Sequence, residues 1–230
     1  MYVEIDENSG FCFGVVRAIS RAEIALSESD GKVYSLGDIV HNRMEVQRLE
    51  SMGLRTVTHE DMESLQGRDL FIRAHGEPPT TYARAKELGI RVIDATCPVV
   101  AQLQRKVVAA HEQMQSAGGQ VVILGKRGHA EVVGLTGQVA NHAIVVEREE
   151  DLSAIDFSRP IFFLSQTTQS VGLFWRLAER MREMLDDESL KLDAVSICTY
   201  NRQHANCAIA AMRAGLHVLL EKPFTVTLDE

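Results

Sequence analysis

Short runs rich in valine, isoleucine, leucine and phenylalanine recur along the chain, each closed by a polar or glycine-containing cluster and followed by apolar residues at helical spacing. The runs fall in "KVYSLGDIVHN", "RDLFIRAHGEPP", "IRVIDATCPVV", "QVVILGKRGHAEVVG", "PIFFLSQTTQS" and "DAVSICTYNRQ". A continuous apolar run alternating with a helical pattern marks a parallel strand buried on both faces, because helices must cover each side of such a sheet. The expected class is α/β with mainly parallel sheets. The clearest helices are predicted over about 98–116 and about 170–186, where apolar positions recur with helical period.

The unusual polar residues sit at one end of these runs. His41, His75, Cys97, His129, Thr167, Thr168 and Cys198 all lie at or just beyond the carboxyl end of a predicted strand. Open α/β sheets gather ligands at that edge, so these residues could share one cavity. No Gly/Ser/Pro-rich linker separates domains. The strand–helix units set the lobe boundaries, with lobes expected at 14–97 and 98–193.

The length of 230 residues permits a sizeable core, and 45% hydrophobic with 24% charged residues match an ordinary globular protein. A formal charge of −8 leaves no basic footprint, which argues against nucleic acid or an anionic membrane surface as partner. Any anion must therefore be gripped locally. No apolar run approaches the roughly 18–20 residues needed to span a bilayer, and "MYVEIDENSG" does not read as a secretory signal, so a cytoplasmic protein is expected. Four dispersed cysteines do not form a disulfide framework; reduced or metal-bound thiols are expected.

Local context separates these cysteines. Cys12 lies between glycines in "GFCFGVVRAI" ahead of a helical pattern, Cys97 precedes Pro98 at an expected helix start, and Cys198 ends a strand run. A thiolate near a helix N-terminus is stabilised by exposed N–H groups and the helix dipole, and so is poised to bind metal. A small packed hydrophobe is the competing reading, and the three cysteines are far more widely spaced than compact zinc or ferredoxin ligand sets. Cys207, inside the Ala-rich "HANCAIAAM", reads as packed.

Three strand-end histidines suit an anionic substrate, because imidazolium groups and helix N-termini can grip phosphate without a broad basic surface. Singly, each also fits a hydrogen-bonded structural role. His59, His111 and His142 lack this placement and read as surface or helix-end residues. Glu131, two residues after His129, is either a first-turn helix glutamate or a carboxylate whose raised pKa lets it pass protons. "QTTQS" offers Gln166, Thr167, Thr168 and Ser170 at a helix entrance, where an ordinary N-cap is the simpler role.

Taken in order over about residues 10–187, "GFCFGVVRAI", "LGDIVHN", "RAHG", "DATCPVV", "GHAEVVGLTGQ" and "QTTQS" closely resemble the LytB-type 4-hydroxy-3-methylbut-2-enyl diphosphate reductases of the non-mevalonate isoprenoid pathway. The resemblance implies three small α/β lobes around a central [4Fe–4S] cluster held by Cys12, Cys97 and Cys198, with one iron left open for the substrate hydroxyl. It implies that His41, His75 and His129 hold the diphosphate, with Gln166 among the substrate-binding groups. Glu131 would relay protons and Thr167 or Thr168 orient the hydroxyl end. A flavodoxin or ferredoxin would deliver the electrons.

After about residue 188 the pattern departs, and the family's Ser-x-Asn element has no counterpart before Glu230. The segment ending in "EKP" is similar instead to the glucose–fructose oxidoreductase/inositol dehydrogenase family, which would put Lys222 near a nicotinamide. The third lobe that the resemblance implies, residues 1–13 with 194–230, is therefore expected to be incomplete, truncated or replaced. Two other functions follow as alternatives: a fragment of an NAD(P)-dependent sugar or polyol dehydrogenase, and a non-catalytic diphosphate-binding module. Against the first stands the lack of a G-x-G-x-x-G turn after an N-terminal strand.

Overall fold

The computed structural model describes residues 10–29, 32–185, 194–197, 204–213 and 217–220. The chain divides into two compact units, Met1–Gln102 and Leu103–Glu230.

In the first unit the order is α1 (Phe13–Glu28), β1 (Val33–Leu36), α2 (Arg43–Ser51), β2 (Leu54–Val57), a 3-10 turn at Glu60–Leu65, β3 (Asp69–Ile72), α3 (Pro79–Glu87) and β4 (Arg91–Asp94). The strands form a parallel sheet in the order β2-β1-β3-β4. Side chains alternate across it as the strand period requires. Phe71 joins Ala18, Ala22 and Leu26 of α1 and Leu49 of α2 on one face, whereas Leu70 and Ile72 join Met62, Leu65 and Ala85 on the other. Both faces are covered, so β3 is buried along its whole length. On α1 the buried residues are Gly14, Ala18, Ala22, Ala25 and Leu26, all but the last of them small.

The second unit holds most of α4 (Pro98–Ala117), then β5 (Gln120–Leu124), α5 (Ala130–Gly137), β6 (Ile144–Val146), a 3-10 turn at Glu149–Ala154, β7 (Ile161–Ser165) and α6 (Val171–Leu185). After these come β8 (Ala194–Ile197), α7 (His204–Arg213) and β9 (His217–Leu220). A parallel sheet runs β6-β5-β7, and β8 pairs with β9, also in parallel. Again the faces alternate. Val121 and Ile123 pack with Leu103, Val107 and Met114 of α4, while Val122 and Leu124 pack with Phe163 and with Phe174, Leu177 and Met181 of α6. Phe163 and Phe174 stack with ring centroids 4.9 Å apart. Ala208 and Ala211 of α7 enter the same core as α6.

The fold is α/β with parallel sheets, as the apolar runs require. Both long helices fall where the periodicity predicts them, although α6 starts at Val171 because Ser170 stays outside as its cap, accepting from the Leu173 N–H at 3.4 Å. No helix among the described residues is long and apolar enough to cross a membrane.

Strand order also locates the chemistry. In the first sheet β1 has β2 on one side and β3 on the other; in the second, β5 lies between β6 and β7. Connections leaving the carboxyl ends of such neighbours depart to opposite faces and leave a crevice between them. The segments beyond β1 and β3 carry His41 and His75, and those beyond β5 and β7 carry His129 and the Gln166–Thr168 stretch.

Candidate functional site

The first unit contributes two thiols. Cys12 is the N-cap of α1, exposed, and makes no side-chain capping hydrogen bond. Its carbonyl instead starts the helix, accepting from the Val15 and Val16 N–H groups at 3.0 Å. Cys97 immediately precedes Pro98, the first residue of α4, and its carbonyl accepts from the Ala101 N–H at 2.9 Å. Proline suits that position, since its fixed φ is helical and its missing N–H would have had no partner there. A Cβ built on Gly14 would lie 2.7 Å from the Cys97 sulfur. That sulfur therefore rests against the first turn of the helix Cys12 caps, and any side chain at Gly14 would push it away. Both thiols are free of disulfides. Two soft donors at two helix starts, one seated in a cradle that only glycine leaves open, fit a thiolate-bound metal group.

The same unit pairs two histidines. His41 precedes Asn42, whose side chain caps α2 by accepting from the Glu45 N–H at 3.1 Å. His75 lies in the turn closed by the Gly76 N–H on the Arg73 carbonyl at 3.0 Å, with Gly76 at φ 69°. Their ring centroids are 5.4 Å apart. The exit from this turn is pinned by Glu77, whose buried carboxylate meets His59 Nε2 at 2.9 Å.

The second unit builds a polar network. His129 caps α5, its Nδ1 accepting from the Glu131 N–H at 3.2 Å. An acceptor nitrogen carries no proton, so this bond selects the neutral ring protonated at Nε2. Glu131 stands in the first turn of α5 and is 1% exposed. Its two carboxylate oxygens accept from the Thr167 N–H and the Thr167 hydroxyl, both at 2.7 Å. Burial raises its pKa above the ordinary carboxylate value, and the two bonds from Thr167 only partly oppose that rise. Glu131 is thus a first-turn glutamate whose buried carboxyl has raised proton affinity.

Gln166 is buried, and both ends of its amide are engaged. The Lys126 N–H can only donate, so the atom it meets at 3.1 Å is Oε1; Nε2 then faces Thr168 and donates to its hydroxyl oxygen at 2.7 Å. Gly125 makes room for this clamp, because a Cβ there would come within 3.1 Å of Gln166 Oε1 and 2.5 Å of Val132 Cγ2. The two adjacent threonines consequently have opposite polarity. With Glu131 ionised, the Thr167 hydroxyl proton is committed to the carboxylate. The Thr168 oxygen accepts from Gln166, which leaves its own proton to donate elsewhere.

Comparison with known proteins places the chain. Residues 3–220 match the model of a family described as LytB protein. The chain belongs to the LytB family. Among curated relatives of this LytB chain, the 4-hydroxy-3-methylbut-2-enyl diphosphate reductase of Porphyromonas gingivalis is 52% identical over 177 residues, covering 77% of this chain and 61% of that protein. The enzyme of the same name from Parabacteroides distasonis is 52% identical over 183 residues, covering 80% and 63%. The chain therefore spans about three fifths of the length of these relatives. A solved structure of (E)-4-hydroxy-3-methyl-but-2-enyl diphosphate reductase superposes with a TM-score of 0.71 at 33% identity, covering 89% of this chain and 71% of that one. The LytB match runs through the strand–helix–strand of β8, α7 and β9, and so through much of the segment likened above to a dehydrogenase.

Cys198 and Lys222 lie outside the described residues, as does the side chain of Cys207. Sequence reasoning overlooked the Cys97 cradle at Gly14 and the Lys126 N–H that anchors Gln166. Gly14 had a visible signal, the second glycine of "GFCFG". The Lys126 contact had none, since it joins residues 40 apart through a backbone group.

Proposed function

We propose that the chain reduces 4-hydroxy-3-methylbut-2-enyl diphosphate to isopentenyl and dimethylallyl diphosphate. The reaction takes up two electrons and two protons, breaks the allylic carbon–oxygen bond, forms a carbon–hydrogen bond and releases water. A [4Fe–4S] cluster held by Cys12, Cys97 and Cys198 would supply the electrons and a Lewis-acidic iron. A flavodoxin or ferredoxin would renew those electrons in the cytoplasm.

The chain's own groups divide the remaining work. His41, His75 and His129 donate to diphosphate oxygens, and the Thr168 hydroxyl, its oxygen already bonded by Gln166, adds a further donor. Thr167 and Glu131 serve the alcohol end. A proton on Glu131, favoured by burial, reverses the Thr167 hydroxyl: its oxygen then accepts from the carboxyl and its own proton is free to pass to the departing oxygen. The observation that carries this reading is the buried Glu131 carboxyl bound twice by Thr167, in a chain of the LytB family.

Anaerobic reconstitution with iron and sulfide tests it, followed by assay with a reduced dye and the diphosphate. Retention of about four irons per chain and formation of both isomers is expected; an iron-free chain, or one that leaves substrate unchanged, removes the reading.

For the segment after about residue 188, the "EKP" signature supports kinship with the glucose–fructose oxidoreductase/inositol dehydrogenase family, and the parallel β8–α7–β9 unit is compatible with it. Titrating the iron-free chain with NADH and NADPH decides the matter, since a dinucleotide role requires saturable binding.

A further inference from the structure

The β1–β3 switch point contains a cation that the site as described does not use. Arg73 follows β3 by one residue and is half-buried. A Cβ built on Gly37, which has φ +75°, would lie 2.6 Å from Arg73 Nη1, 2.8 Å from Cζ and 3.0 Å from Nη2. Three guanidinium atoms at such similar distances mean that the group lies flat over the glycine.

Among the described residues, nothing compensates its charge. Arg73 Nε is buried with no hydrogen-bond partner, and the side chain joins no hydrogen bond or ion pair among the described residues. The more exposed Arg48, Arg84, Arg91, Arg127 and Arg180 each meet a carboxylate. In a chain of net charge −8, acidic groups are plentiful, yet the half-buried guanidinium meets none among the described residues. A partly desolvated cation without an acceptor is costly unless a ligand supplies one. His75 is two residues away in the same turn, and His41 stands 5.4 Å from it across the switch point.

We propose that Arg73 is the fixed cation of an anion subsite at the β1–β3 switch point, taking a phosphate group of the diphosphate substrate. The planar guanidinium offers paired N–H donors matched to two phosphate oxygens, which the neighbouring imidazoles cannot do alone. Gly37 keeps the surface flat beneath it. The assignment rests on the diphosphate reading above.

The test is calorimetric titration of the full chain with inorganic pyrophosphate, comparing wild type with Arg73→Gln and Arg73→Lys. Arg73→Gln should bind at least about 10-fold more weakly and with a shallower dependence on salt, while its melting temperature without pyrophosphate stays unchanged. Arg73→Lys keeps the charge but loses the fork, and should fall between the two. Pyrophosphate affinity in Arg73→Gln equal to wild type overturns the proposal and leaves the reductase reading intact. A wild-type chain that does not bind pyrophosphate overturns both. Should the glutamine variant fail to fold, the lysine variant decides: unchanged affinity and salt dependence count against the subsite.

Discussion

The two units hold their candidate residues in opposite ways. In the first, Cys12 caps a helix with no side-chain hydrogen bond, and Cys97 rests against bare backbone at Gly14. In the second, Glu131, Gln166, Thr167 and Thr168 are tied together by hydrogen bonds of 2.7–3.1 Å. Soft ligands must keep their lone pairs available, so they are positioned by packing and by the backbone. Groups that move or donate protons must have a defined polarity, which only hydrogen bonds can set. One kind of site is therefore sensitive to added volume, the other to lost donors and acceptors.

The largest effect is expected at the thiols. Cys12→Ser or Cys97→Ser should abolish iron retention after anaerobic reconstitution, measured by iron content and visible absorbance. Gly14→Ala should act in the same direction without altering a ligand, because the added methyl meets the Cys97 sulfur at 2.7 Å. Full iron content in the alanine variant would break the contrast, since packing would then not be what holds that sulfur.

Next comes Thr167→Val, which retains the N–H bond to Glu131 and removes only the hydroxyl. Turnover should fall by about 10²–10⁴-fold with iron content unchanged, the range spanned by positioned proton donors. Thr167→Ser should recover most of it. Equal losses in both variants would show that the hydroxyl, which serine retains, does not carry the effect by itself.

A smaller, purely structural effect is expected from Gly125→Ala. Its Cβ would meet Val132 and the Gln166 side chain, and overpacking of this kind costs about 1–3 kcal/mol. Urea denaturation measures it. A neutral result would show that the clamp can shift freely, and would weaken the polarity assigned to Thr168.

The smallest effect is a pH dependence. Burial raises the Glu131 pKa in the folded chain, so the folded state binds its proton more tightly than the unfolded state does. The stability this contributes is fully present below the ordinary value of 4.5 and is lost as pH rises from there through the folded pKa. Relative to wild type, Glu131→Gln should therefore gain stability across that window and level off above it. Denaturation midpoints that run parallel at every pH would mean that burial does not govern this carboxyl.

What the sequence disclosed, and what it hid, follows from the range of each interaction. Buried parallel strands such as β3 and β5 announce themselves as unbroken apolar runs, and Pro98 marks the start of α4 through its own ring. The edge strands β2 and β6 escaped notice because Arg55 and Thr56 interrupt the first and the second is only three residues long. The candidate residues were legible by position, each just past a strand. Their partners were not. Thr167 and Glu131 are 36 residues apart, and only the strand order that sets β7 beside β5 brings them together. Ser170 shows the same limit in reverse: of the polar groups in "QTTQS", it makes the ordinary cap, while Gln166 and Thr167 are engaged 40 and 36 residues away, with Lys126 and Glu131.

The helix cap at His129 ties acidity to local order. A proton arriving at its Nδ1 must displace the Glu131 N–H, and the helix it would unfasten is only eight residues long. The turn on which the buried glutamate is mounted therefore depends on that nitrogen remaining an acceptor.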